Sequence, residues 1–252
     1  MSVVLSSLLS IILLIGACTQ VRELPRPEEM TKTREAIPPL DEAVIIGGAC
    51  TREQAEQWAA KADTDGRAAL RAANCYVALI KDGKDKAWQL KDAKYGRKLA
   101  ENTVMRFPQS GVARYLVAYL TALEAKYDPL SGLDLVPIVE REALTAAQLN
   151  PKVDHGGPDR MLGELYLRAP GFPVSIGDSR KAVTHYRRAV DQDPNFPGNR
   201  LGLVEALLAE EEMTEACKAL SGFLADISKP YDMKSDQKKA LDLLEKLCAM
   251  LD

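Results

Sequence analysis

Three prolines that follow helix-forming sequence recur at Phe107-Pro108, Asn150-Pro151 and Asp193-Pro194, each 43 residues from the next. A proline lacks the amide hydrogen and its ring strikes the carbonyl four residues back, so each of these ends the helix before it. Twelve, eight and five positions ahead of the prolines stand Gly96, Ala100 and Thr103, then Val139, Ala143 and Ala146, then Ala182, Tyr186 and Ala189. Most are small, and their spacing sets each trio on one helix face that a neighbour can approach closely. After each proline come a glycine (Gly111, Gly157, Gly198) and then an arginine (Arg114, Arg160, Arg200) that open another helix. Such a chain is confined to a row of related helical hairpins stacked on their neighbours. Ala, Leu, Glu, Lys, Arg and Gln dominate from about residue 51 onward and aromatics make up only 6% of the chain, a mixture that favours helix nearly throughout.

The most regular unit runs from Gly157 to Pro197, with Leu162, Gly163 and Tyr166 on its first helix and Ala182, Tyr186, Ala189 and Pro194 on its second. It resembles a tetratricopeptide repeat. Gly163, Ala182 and Ala189 let two antiparallel helices close up, Leu162, Tyr166 and Tyr186 fill the seam, and Pro194 stops the second helix. The resemblance implies an all-α fold, a right-handed superhelix of tetratricopeptide-like hairpins over residues 84–226. An added N-terminal hairpin over 45–83 and a C-terminal capping helix over 227–252 flank it.

In detail, the spacing predicts helices over 52–62 and 67–80 turning at Asp63-Thr64-Asp65-Gly66, and a second helix over 86–106 with Gly96 as a candidate kink. Further helices are expected over 199–211, 213–225 and 235–251. A tetratricopeptide unit is 34 residues long, so a 43-residue period needs an insertion. Two apolar connections between first and second helices supply it, Asp128 to Pro137 and Ala169 to Gly177, and in a stacked array they are expected side by side on one rim. Leu130, Leu133, Leu135, Phe172, Val174 and Ile176 on these loops either fold back over the edge of the core or form a contact surface for a partner or a small apolar ligand.

Residues 1–17 carry no charged side chain and an apolar run from Val3 to Ile15, the length of a signal-peptide core rather than of a membrane span. The run ends Ile15-Gly16-Ala17-Cys18, which resembles the lipobox of bacterial lipoproteins. That resemblance implies removal of residues 1–17 and acylation of Cys18; an ordinary secretory signal, or a buried N-terminal helix with an incidental cysteine, is the alternative. Thr19 in place of Asp points, by the enterobacterial sorting pattern, to an outer-membrane anchor facing the periplasm. Residues 18–44, with Pro25, Pro27, Pro38 and Pro39 among charged residues, read as an extended tether between the acyl chains and the folded part.

Cys50, Cys75, Cys217 and Cys248 remain. In an oxidising compartment an even number suggests disulfides, and the positions across predicted hairpins favour Cys50–Cys75 and Cys217–Cys248, against four reduced buried thiols. No two cysteines have metal-ligand spacing, so no metal or other cofactor is expected. His185 is expected on an outer, solvated helix face; in Asp154-His155-Gly156-Gly157-Pro158-Asp159-Arg160 the expected reading is a Gly-Gly-Pro turn with Asp159 capping the next helix, against the alternative that Asp154, His155 and Asp159 bind a metal or polarise a substrate. Arg114, Arg160 and Arg200 form either a ladder for an acidic peptide or carboxylate, or pairs with Glu or Asp of the adjoining helix.

A net charge of −3 with no basic stripe speaks against nucleic acid, and no phosphate-binding loop, nucleophile elbow or zinc-protease motif occurs. A binding role follows rather than a catalytic one. The leading expectation is a membrane-anchored scaffold that holds a protein or peptide of an envelope assembly. The anchor, tether and Gly177-Asp178-Ser179-Arg180-Lys181-Ala182 are also similar to T-component lipoproteins of TRAP transporters, which would imply an apolar pocket for a small ligand and oligomerisation.

Overall fold

The computed structural model describes residues 46–226, 240 and 242–244, and these are all-helical apart from turns, loops and one isolated bridge between Gly171 and Gly177. The predicted signal, tether and lipid-bearing Cys18, together with Cys248 and most of the predicted capping helix, lie outside the described residues. Nine helices follow in order among them. These are α1 (Arg52–Ala59), α2 (Gly66–Asp82), α3 (Lys86–Arg106), α4 (Gly111–Tyr127), α5 (Gly132–Leu149), α6 (Gly157–Arg168), α7 (Ser179–Gln192), α8 (Pro197–Ala209) and α9 (Met213–Asp226).

Local chemistry sets their ends. The Thr51 hydroxyl accepts from the Gln54 amide while the Gln54 side chain accepts from the Thr51 amide, a reciprocal cap on α1. Asp65, Asp85, Ser110 and Asp178 accept from first-turn amides of α2, α3, α4 and α7. At the other end, Phe107, Asn150 and Asp193 leave the helical region with ψ of 67°, 87° and 96°, as the proline after each requires.

Each helix packs on the next in sequence, and the first helices of successive hairpins also touch, α2 on α4, α4 on α6 and α6 on α8. The result is a solenoid-like row of adjacent pairs. One buried cluster, with Leu70, Tyr76, Ile80, Leu116 and Leu120, joins α1 to α4; a second, with Leu162, Tyr166, Tyr186, Leu207, Leu220 and Phe223, joins α6 to α9. The repeat-defining residues sit where close packing demands them. A methyl on Gly163 would fall 2.6 Å from Cδ2 of Tyr186, and Ala182 and Ala189 are fully buried. Gly96 marks no break, since α3 runs through it; a side chain there would press on Leu120 and Tyr76 at 3.0 Å.

Two expectations are corrected. The insertion does not fall at one place in both repeats, because α5 begins at Gly132 and takes Leu133, Leu135 and Pro137 into its first turns. Pro137, in the second turn, removes the helical bond to the carbonyl of Leu133, and α5 continues through it. And α1 stops at Ala59, where residues 60–65 turn the chain. Cys50 and Cys75 are disulfide-bonded across α1 and α2 with their Cα atoms 5.5 Å apart. Cys217 is also in a disulfide.

Candidate functional site

A partly open groove of about 850 Å³ runs between the first helices of three successive hairpins. Helical spacing builds it. Tyr115, Tyr119, Ala122 and Lys126 lie along one face of α4, Arg160, Glu164 and Arg168 along one face of α6, and Gly198, Leu201, Gly202 and Glu205 along one face of α8. Val136 and Val139 of α5, Met161 and Leu165 of α6, and Tyr186 of α7 form its apolar floor and walls.

Most polar groups of the groove have hydrogen-bond partners within the fold. Asp154 accepts from the Tyr115 hydroxyl at 3.0 Å, from Nη2 of Arg160 at 2.6 Å and from the amide of Ile46 at 3.2 Å. Nη1 of Arg160 reaches the Asp154 carbonyl at 2.9 Å and the side-chain oxygen of Asn199 at 3.0 Å. Asn199, fully buried, donates to the carbonyls of His155, Ala189 and Asp193 and so ties the turn before α6 to the turn before α8. Asp154, His155 and Gly156 all have positive φ, at 51°, 60° and 80°, a conformation that asparagine, aspartate, histidine and glycine tolerate best. On the far wall the Tyr186 hydroxyl donates to Glu164 at 2.8 Å, and Arg168 bridges Glu164 at 3.0 Å and Glu205 at 2.5 Å. Burial raises the hydroxyl pKa of Tyr115, Tyr119 and Tyr186, and for Tyr186 the Glu164 carboxylate adds to it, so these phenols stay protonated donors at neutral pH.

The predicted site residues are distributed unevenly around this groove. Of the three arginines only Arg160 lines it; Arg114 is paired with the buried Glu142 at 2.8 Å and Arg200 with Asp226 at 2.8 Å. The three are therefore anchored on acidic residues and not a free cationic ladder. None of the six apolar rim residues lines the groove. Leu135 is buried and Ile176 packs on the second core cluster, whereas Leu130, Leu133, Phe172 and Val174 are exposed, Leu130 at 99% and Phe172 at 93%. The two connections do border one end of it, through Gly132 and through Ala169 and Pro170.

His185 and the Asp159 cap differ from expectation, whereas His155 stands in the predicted turn. His185 is buried, its Nδ1 2.8 Å from Oδ1 of Asp159 and its ring 5.4 Å from that of Tyr166. Asp159 is thereby spent on His185 and caps nothing; α6 starts from the left-handed Gly156 without a side-chain cap. His155 stacks on Phe196 with ring centroids 4.6 Å apart and meets Asp193 at 2.7 Å. Among the described residues no group of His, Cys, Asp and Glu has the geometry to hold a metal ion, and no helix is long and apolar enough to cross a membrane.

Tyr115, Tyr119, Lys126, Glu164, Arg168 and Gly202 escaped the sequence reading. The signal that could have found them is the i, i+4 and i+7 stripe of polar and aromatic residues on each first helix, on the face that the small-residue pattern of the second helices leaves free. No protein-family model matches the chain, and no curated protein is significantly similar to it.

Proposed function

We propose that this chain is a periplasm-facing scaffold, anchored to the outer membrane through Cys18, whose hairpins form a right-handed tetratricopeptide-like superhelix that holds an extended segment of a partner protein of an envelope assembly. The observation that carries this reading is the composition of the groove. Its walls come from the first helices, in register over three hairpins, and present tyrosines and fixed charges beside an apolar floor. From Tyr115 to Lys126 the α4 wall spans roughly 16 Å at 1.5 Å per residue, enough for about five residues of extended chain. Lys126, exposed and in no ion pair with a described residue, offers an acidic residue of that segment a contact at one end.

The cavity volume also supports a second reading, since about 850 Å³ lies within the range of small-ligand sites. Under it the chain would be a ligand-binding or chaperoning component of a TRAP-type solute transporter. The apolar rim residues that would gate such a pocket do not converge on it.

Photo-crosslinking in intact envelopes separates the two. A crosslinker replacing Tyr119 or Leu201 should capture one defined protein, and the same group at Phe172 should not. Capture only from Phe172 would move the contact to the rim and refute the groove assignment; no capture from any position, with a small molecule retained in native mass spectrometry, would favour transport. Cys18→Ser should release the protein from the membrane fraction.

A further inference from the structure

A second surface of the molecule has the opposite character from the groove. On α3 the residues Trp88, Lys91, Tyr95, Lys98, Asn102 and Met105 fall within about 100° of arc at 100° per residue, a single stripe along most of the helix. Trp88 is 56% exposed, Tyr95 44% and Met105 75%. Side chains this apolar are rarely left in water together on one helix face. None of the residues lining the groove belongs to α3, so a partner in the groove leaves this stripe free.

The charge of the stripe is of one sign. Lys91 and Lys98 lie on it, both exposed, and neither forms an ion pair with a described residue. The ammonium of Lys91 sits 4.5 Å from the centre of the Trp88 ring and the guanidinium of Arg52 5.9 Å from it, so the indole is flanked by cations. Three neighbouring carboxylates are engaged, while Asp82 at the end of α2 is exposed. Asp85 caps α3, Asp92 binds Arg52 in a two-pronged pair at 2.7 and 2.6 Å, and Glu101 is 3.8 Å from Arg97.

We infer that the outer face of α3 is a membrane-contacting surface that lies on a layer of anionic lipid headgroups. Trp and Tyr place an apolar ring and a polar edge in the headgroup zone, Met adds a flexible apolar tip, and lysine stems run along the apolar layer while their ammonium groups reach lipid phosphates. A lone helix face with three separated apolar residues and cations between them fits a planar partner. No residue of α3 lines either of the two clefts found among the described residues. The contact uses no residue that lines the groove.

The test reads where the Trp88 ring sits. The chain has two tryptophans, and Trp58 packs partly buried against the first core cluster, so the full chain is prepared as Trp58→Phe, with a circular dichroism spectrum matching wild type as the control for folding. It is mixed with vesicles of phosphatidylglycerol and phosphatidylcholine in equal parts, or of phosphatidylcholine alone, with and without brominated acyl chains. The expected result is a blue-shifted Trp88 emission quenched by brominated lipid in the anionic vesicles only, and reversed by salt. Lys91→Gln with Lys98→Gln should lower partitioning about five-fold per lysine, roughly twenty-five-fold together. Absence of quenching in anionic vesicles overturns the proposal, and equal quenching in phosphatidylcholine overturns its anionic specificity. A Trp88 shift with polyglutamate but not with vesicles assigns the stripe to an acidic protein partner instead and overturns the membrane contact.

Discussion

Tyr186 is held between two glycines on different helices, and that arrangement yields a sharp test of the packing. A methyl on Gly163 of α6 would fall 2.6 Å from Cδ2 and 2.7 Å from Cε2 of the ring, and a methyl on Gly202 of α8 would strike the opposite edge, at Cε1 and, at 2.5 Å, Cζ. The ring cannot retreat from one without meeting the other, and its hydroxyl is fixed on Glu164. Gly202 lies inside a helix, so Gly202→Ala taken alone gains about 1 kcal/mol of helix propensity. Overpacking costs about 1–3 kcal/mol, toward the upper end where neither side yields, so the net expectation is a loss of roughly 1–2 kcal/mol. With Tyr186→Ala, which itself costs about 3–5 kcal/mol, the obstruction is gone and Gly202→Ala becomes stabilising by up to about 1 kcal/mol. The coupling across the cycle is then about 2–3 kcal/mol, read from urea unfolding followed by circular dichroism. An equal effect of Gly202→Ala in both backgrounds, or a gain in the wild type, would refute the claim that the three hairpin elements close on this ring.

Replacing Cys50 and Cys75 by alanine should cost about 3.5 kcal/mol by the loop-closure relation for their separation of 25 residues, seen as a lower melting temperature in oxidising buffer and no further change on adding reductant where Cys217 is also replaced. Arg160→Leu strands Asp154, whose side chain is only 11% exposed, and should destabilise by roughly 3 kcal/mol in urea; adding Asp154→Asn, neutral and tolerant of positive φ, should restore part of that loss. Burial raises Tyr76 to about 12 and moves Tyr115, Tyr119, Tyr166 and Tyr186 in the same direction. The folded state therefore favours the protonated phenols, their contribution is complete below the ordinary value near 10, and it is lost as pH rises from there through 12 and above. Alkaline unfolding by circular dichroism should accompany the appearance of tyrosinate absorbance, and titration at an ordinary value with the fold intact would contradict the burial.

The hairpins were legible because their signals are local. Pro108, Pro151 and Pro194 stop helices through their own covalent geometry, and the caps at Asp65, Asp85, Ser110 and Asp178 act within one turn. The cysteine pair was legible for the same reason, since α1 and α2 are neighbours in the chain as in space. His185 and Asp159 were misjudged because their pairing crosses two helices of one hairpin, 26 positions apart, and a polar residue with a buried partner reads like a solvated one in a single sequence. The groove was missed through an emphasis on the apolar rim. Leu133 and Leu135 stand among residues that also suit a helix, and α5 claims them despite Pro137.

The equal spacing of the prolines conceals unequal construction. The first of the two intervals is filled by helices of 17 and 18 residues joined by a short connection, the second by helices of 12 and 14 residues with a longer one. The second also carries extra chain ahead of its first helix, since Arg160 stands nine positions after its proline where Arg114 and Arg200 stand six after theirs. That surplus contains Asp154, His155 and Gly156, the three consecutive residues of positive φ. Their turn points the Asp154 carboxylate at Tyr115 and Arg160, and gives Asn199 the His155 carbonyl. Regular spacing at this point would leave Tyr115 and Arg160 without their shared acceptor, and both line the groove. The departure from the repeat is therefore what fixes the polar wall of the groove, and the period survives only because shorter helices offset the added turn and loop.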